Sequence, residues 1–184
     1  GLDPVSLSGI QARALLDAGL AGERDFANVV SRSRREALAN PNAQVATDVS
    51  ADDLLAEPYV SAPLRRHDLP PISDGAAALI LVAGDRAREL AERPVWIRGL
   101  DHRIESHLPG LRNLTRSSST ELAARNAGVA DGPIDVAELM VTYSPEEVLL
   151  RNAVGIPFSD EHTAVNPSGG PLAGHPVMAT GLVR

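Results

Sequence analysis

Eight consecutive residues, Ala76-Ala77-Ala78-Leu79-Ile80-Leu81-Val82-Ala83, carry no polar side chain. A run of that length suits a strand buried on both faces, since neither of its alternating sides offers water a polar group. It is far too short to cross a bilayer, which takes about 20 apolar residues. A strand covered above and below belongs to a layered architecture, and the elements around it are read on that basis.

Two further strands are predicted, over 94–101 and 134–142, the second with Val136, Leu139 and Val141 as core residues. Helices alternate with them. Asp3 is an N-cap and Pro4 a first helical residue; Leu7, Ile10, Ala14, Leu15 and Ala18 share a face, and Gly19 is the stop. A second helix is predicted over 24–39, with Phe26, Val29, Val30 and Ala37 as its buried stripe and Asn40-Pro41 as its end. The arginine-rich run from Ser31 to Arg35 lies mostly off that stripe and reads as a solvated face before a phosphate site. Ser50 caps a short helix, and four prolines between Pro58 and Pro71 exclude regular structure. A helix over 85–92 follows the apolar run. Ser118–Glu121 and Ser144–Glu147 have the spacing of capping boxes, with helix ends at Gly128 and near Gly155. Strands alternating with helices in this order predict an α/β layered fold.

Composition removes several kinds of chemistry. All 17 basic residues are arginine, so no lysine can form a Schiff base or act as a base. There is no cysteine, which excludes disulfides, thiolate metal sites and cysteine nucleophiles within these residues. The net charge of −7 argues against nucleic acid as a partner. No basic start leads into an apolar stretch, so no export signal or membrane span is readable and a cytoplasmic location is expected. His102 and His107 flank Glu105 without a metal-ligand spacing, and no metal site is expected. His67-Asp68 reads as a loop pair.

The stretch Asn166-Pro-Ser-Gly-Gly-Pro-Leu-Ala-Gly-His-Pro176, continued by Val177-Met-Ala-Thr-Gly-Leu182, is where chemistry concentrates. Gly169, Gly170 and Gly174 allow close backbone approach to a ligand or to another backbone. His175 is constrained between Gly174 and Pro176, ahead of an apolar helix start whose positive end favours a neutral imidazole suited to a general base.

This string resembles the glycine-rich catalytic loop of thiolases. Three more segments are similar to the same family: Asn40-Pro41-Asn42-Ala43, Ser73-Asp-Gly-Ala-Ala-Ala78, and Ile134-Asp-Val-Ala-Glu138. The resemblance covers roughly 24–184 and is nearest to the sterol-carrier or lipid-transfer type. It implies part of a layered αβαβα fold, incomplete in these residues. Residues 1–75 would end the N-terminal half with its loop region. Residues 76–184 would be a C-terminal thiolase-like domain without its final cysteine motif.

What the resemblance implies for function is acyl transfer or retro-aldol carbon–carbon cleavage on CoA thioesters, or else a non-catalytic lipid- or partner-binding subunit. Coenzyme A enters as part of the substrate, with no separate cofactor. His175 matches the family's general base. Asn166, Ser168, Gly169, Gly170 and Gly174 match the substrate-binding loop, which here is one residue shorter than the family's between the double glycine and the histidine. Met140 stands at the position of the oxyanion-hole donor, and a thioether donates no hydrogen bond. Nearby Tyr143 is the candidate hydroxyl for an enolate oxygen, against the reading of a strand-end aromatic packed on the sheet. Glu138 is expected to orient the loop or to accept from backbone amides. Acyl-CoA or lipid, and a homo- or hetero-oligomer with a thiolase-fold or OB-fold polypeptide, are the implied partners.

Overall fold

The structure, a computed structural model, describes residues 2–183. Six α-helices and four short strands are present among them: α1 (Pro4–Asp17), α2 (Glu23–Glu36), α3 (Ala51–Leu55), β1 (Tyr59–Ser61), β2 (Leu64–Arg65), α4 (Gly84–Leu90), α5 (Ser118–Asn126), β3 (Val136–Ala137), α6 (Glu146–Val154) and β4 (Ala164–Val165). β1 and β2 pair antiparallel within the stretch where the prolines were expected to exclude regular structure, the prolines lying before, between and after the two short strands; β3 and β4 pair parallel with Val136 opposite Ala164. Helix and sheet are mixed as expected. Among the described residues no helix is long and apolar enough to cross a membrane.

Local signals at the helix ends act largely as the sequence predicts. Asp3 caps α1, its Oδ1 accepting the N–H groups of Val5 and Ser6 at 3.0 Å. Ser50 Oγ accepts the N–H of Asp53 at 3.1 Å. Gly19, Gly128 and Gly155 follow their helices with positive φ. The two predicted capping boxes do not form. The N-cap of α5 is Ser117, which makes no side-chain cap, and Glu121 pairs with Arg116 instead. At α6 the Ser144 hydroxyl donates to buried Asp68, and the Glu146 carboxylate takes the N–H groups of Thr142 and Tyr143 at 2.7 and 3.1 Å. A long-range buried carboxylate outcompetes the local amide in the first case.

The core is organised around α2. One cluster joins Ala12 and Leu15 of α1, Phe26, Leu64, Val148 and Leu149; the other joins Ala27, Val29 and Val30 to Leu54, Val141 and Leu172. The predicted stripe of α2 is therefore buried, and its neighbours Ser31 and Ser33 are buried too. Those serines are not solvated, because each finds a backbone acceptor: Ser31 donates to the Val49 carbonyl at 2.6 Å and Ser33 to that of Gly169. Glu147, with no exposed surface, holds Arg32 of α2 at 2.5 Å and Arg151 of α6 at 3.5 Å. α1 turns a different face inward from the one predicted, with Ser8, Gly9, Gln11, Ala12 and Leu15 buried and Ile10 exposed. Its small residue decides this: a Cβ on Gly9 would sit 3.2 Å from Ser61 Oγ and 3.3 Å from Ser61 O, so β1 packs where apolar bulk is absent.

The largest departure concerns the strands. Segments 76–83 and 94–101 belong to no sheet, and the third predicted strand shrinks to Val136–Ala137. Ile80 and Val95 are 90% and 95% exposed, so neither segment is buried on both faces. Doubly buried strands draw their stability from neighbouring strands and flanking helix layers. The cover that 94–101 receives comes from helix ends: Gly99 lies against Ala127 just past α5, and the Asn126 side-chain amide donates to Asp101 at 2.6 Å. Trp96 packs on Gly84 and under the Arg88 guanidinium at 5.0 Å, which is all the cover it receives from α4.

Candidate functional site

The glycine-rich loop begins where β4 ends. Asn166 takes a left-handed conformation, φ 50°, which asparagine tolerates when its amide bonds locally. Its N–H donates to the Ala137 carbonyl at 2.9 Å and its Oδ1 accepts the Leu139 N–H at 2.6 Å, so this buried residue fastens the loop to the end of β3. Ser168 then grips Glu138: its N–H donates to Oε1 at 3.0 Å and its hydroxyl to Oε2 at 2.9 Å. The same hydroxyl accepts the Gly170 N–H at 3.1 Å. Glu138 thus orients the loop through a backbone amide.

α2 and the segment after it hold the opposite side. The Asn40 side-chain amide donates to the Ser168 carbonyl at 2.9 Å, and the Ala173 carbonyl accepts from Gln44 and Val45 at 2.8 and 3.0 Å. Further on, the His175 N–H donates to Pro71 O and its carbonyl accepts from Ser73 N–H, both at 3.2 Å. Ile72 and His175 form a parallel bridge. Three segments far apart in sequence are thereby drawn together. Asn40–Gln44, Ser73–Ala76 and the loop line one open cavity of about 430 Å³, a size that suits a small-molecule ligand.

Ser168, Gly170 and Gly174 line that cavity, while Asn166 and Gly169 form the framework behind it. His175 stands between two lining residues, and its Nδ1 lies 2.9 Å from Oγ1 of the fully buried Thr180. Met140 is elsewhere. It is 45% exposed and lines a separate cavity of about 290 Å³ with Glu105, Arg112, Arg116 and Glu146. Tyr143 is not among the lining residues of either cavity. The reason lies just past β3: the Val141 N–H bonds back to the Leu139 carbonyl at 2.8 Å, a tight turn that takes the chain off the strand path at Met140. Burial first, and then the nearby Glu146 and Asp3 carboxylates, push the Tyr143 phenol up from its ordinary value.

Asn40, Ser33 and Thr180 are structural parts of this site that residue chemistry alone does not single out. Asn40 carries a legible signal, since it opens one of the family-like segments; Ser33 carries none. Among the described residues no group of three histidine, aspartate or glutamate side chains is placed to hold a metal ion.

In the second cavity, burial pushes the Glu146 carboxyl up to about 7, against the lowering effect of the Tyr143 and Thr142 amides and of Arg112. A folded-state value above the unfolded one near 4.5 means stability that is complete below about pH 4.5 and lost as the pH rises through about 7. At roughly 1.4 kcal/mol per unit, and discounted for the solvent that reaches this half-buried group, the loss is about 2 kcal/mol. Urea unfolding at pH 5 and pH 8 should show wild type losing more than Glu146→Gln by that amount. Equal losses in the two proteins contradict the assignment.

No family model matches the chain. An acetyl-CoA acetyltransferase of Methanothermobacter thermautotrophicus is 36% identical over 165 residues, covering 79% of this chain and 43% of the relative. A monomeric SCP2-thiolase-like protein type 1 from Mycobacterium smegmatis superposes with a TM-score of 0.77 at 18% identity, over 99% of this chain and 44% of the other. An Ltp2-ChsH2(DUF35) aldolase gives the same TM-score at 20% identity, over 92% and 51%. The chain thus spans about half the length of each. The last two likenesses establish the α/β fold alone. With three of the family-like segments gathered round one cavity, and the acetyltransferase matched across most of these residues, the conclusion is plain: the chain belongs to the thiolase superfamily.

Proposed function

We propose that these residues form the histidine-bearing half of a site for CoA thioesters, in a protein that performs acyl transfer or retro-aldol carbon–carbon cleavage on lipid-type acyl chains. The observation that carries this reading is the convergence of Asn40–Gln44, Ser73–Ala76 and the glycine loop on a single cavity beside His175. Within it, the backbone of Gly170 and Gly174 lets a thioester approach closely, and His175 is the general base. Both reactions develop negative charge on the thioester oxygen and need aimed donors there. Met140, matched to the donor position, has a thioether that donates no hydrogen bond and lines a separate cavity, which favours a second reading in which this half binds the acyl-CoA or a partner and catalyses nothing.

The nucleophile or phenol that completes the first reading is carried by another segment or polypeptide. The exposed apolar segments around Leu79–Val82 and Val95–Ile97 are where a thiolase-fold partner would seat. The likeness to an Ltp2-ChsH2 aldolase supports a hetero-oligomeric version of the same arrangement.

Binding is the direct test. A Cβ on Gly174 meets nothing nearer than Gln44 Cγ at 3.7 Å, so Gly174→Val fills the cavity while the loop keeps its path. Equilibrium dialysis with acetoacetyl-CoA should show saturable binding to wild type and at least tenfold weaker binding to Gly174→Val. Absence of binding at millimolar ligand, or equal binding by both proteins, rules the site out.

A further inference from the structure

We propose that the cavity of about 290 Å³ beside Met140 is a binding site for a small monocarboxylate, which the Arg112 guanidinium anchors and the Glu146 carboxyl meets as a hydrogen-bond donor. The inference is independent of the function proposed for the glycine loop and His175.

Two arginines and two glutamates line this cavity, and three of the four are engaged within the fold. Arg116 pairs with Glu121. Glu105 accepts from the Ser118 N–H and the Ser119 hydroxyl at 3.1 and 3.2 Å, and Glu146 holds the Thr142 and Tyr143 amides. Arg112 is the exception, since its Nε is buried without a hydrogen-bond partner among the described residues. Arg32 and Arg34 also have an unpaired buried Nε, but Arg32 pairs with Glu147 and Arg34 sits in the field of Glu57 and Asp68. Arg112 faces a cavity instead. A buried donor without a partner is costly, and a planar guanidinium is shaped for the two oxygens of a carboxylate.

Glu146 supplies the second contact. Burial pushes its carboxyl up to about 7, and the Arg112 charge is among the effects that oppose this. Both amide bonds fall on Oε2, so the proton that the carboxyl takes up belongs on Oε1, where it can be donated. With Glu146 neutral, the lining carries two positive charges against the one negative charge of Glu105. A monocarboxylate balances that excess, whereas a phosphate dianion would leave negative charge facing Glu105. Leu149 and Leu150 of α6 give the cavity an apolar wall for a short tail. Its volume is at the low end of ligand pockets, which start at roughly 300 Å³.

The experiment is titration of the 184-residue chain with butyrate, followed through its backbone amide NMR signals. Saturable binding is expected at pH 6, with butyramide, of similar shape and no charge, binding about tenfold more weakly or not at all. Arg112→Gln should weaken butyrate binding about tenfold or more, and Arg116→Gln much less. Between pH 6 and pH 8 wild type should lose about fivefold or more in affinity as Glu146 gives up its proton. The charged and titratable groups that face Glu146 are Glu105, Arg112 and Arg116 across the cavity and Tyr143 in its own turn. Glu146→Gln, which keeps a donor and cannot ionise, isolates its part and should bind butyrate equally at both pH values. No saturation at high millimolar butyrate overturns the proposal, as does equal affinity for butyramide or for inorganic phosphate. Unchanged affinity in Arg112→Gln overturns it too, and so does a pH dependence that Glu146→Gln retains.

Discussion

Purified alone, the 184-residue chain should release no CoA from acetoacetyl-CoA above the uncatalysed rate, even at high protein concentration. Thiolase-type transfer passes through an acyl group held on a thiolate, and these residues contain no cysteine. The proposed base His175 has no thiol here to activate, and Met140, matched by resemblance to the oxyanion donor, lines a different cavity and has a thioether that donates no hydrogen bond. The shortfall is large because covalent catalysis and oxyanion stabilisation each account for several kcal/mol of barrier in such enzymes. Release of CoA is followed with a thiol reagent, before and after repurification. Turnover that survives repurification and disappears in His175→Ala would show that catalysis needs no second segment.

Gly169→Val should cost about 3–5 kcal/mol of stability, the largest loss expected from a single change at the site. Gly169 has φ 90°, and a Cβ there would come within 2.7 Å of both the Ala37 and Ala173 Cβ atoms. Ala37 is fully buried where α2 runs out and Ala173 is nearly so, and neither can retreat. Forcing bulk into a packed position costs about 1–3 kcal/mol, and left-handed backbone adds about 1–2 for a residue with a Cβ. The Gly169 carbonyl is also the acceptor for the buried Ser33 hydroxyl, so a displaced loop strands that donor. Denaturant unfolding of the variant measures the loss. A change below about 1 kcal/mol would mean that the loop is not packed on α2 as described. Gly174→Val, whose Cβ would make only ordinary van der Waals contact with Gln44, is the control that should stay near wild type.

Where a signal is local, it was legible in the residues. Asp3 and Ser50 cap their helices, three glycines end theirs, and the apolar stripe of α2 is the one that packs. These outcomes depend on atoms within a turn or two of chain. The serines of α2 read as solvated because their partners, Val49 and Gly169, are 18 and 136 residues distant. The buried face of α1 follows Gly9 and the approach of Ser61, which no periodicity in residues 4–17 records. Ser144 illustrates the same point from the polar side, leaving its own helix for Asp68.

The site divides along similar lines. From residue identities alone it follows that cysteine and lysine chemistry are absent from these residues, that a glycine-rich loop ends in a constrained histidine, and that Asn166 and Ser168 belong with it. It takes the folded chain to bring Asn40–Gln44 and Ser73–Ala76 to that loop across one cavity, to turn Met140 into another, and to set Thr180 Oγ1 2.9 Å from the imidazole. The folded chain also leaves 76–83 and 94–101 outside any sheet. The physical reason is common to all of these. Caps, stops and residue chemistry are properties of neighbours along the chain. Strand pairing, convergence on a cavity and the choice of a hydroxyl's partner are set by groups that folding alone brings within hydrogen-bond or packing distance.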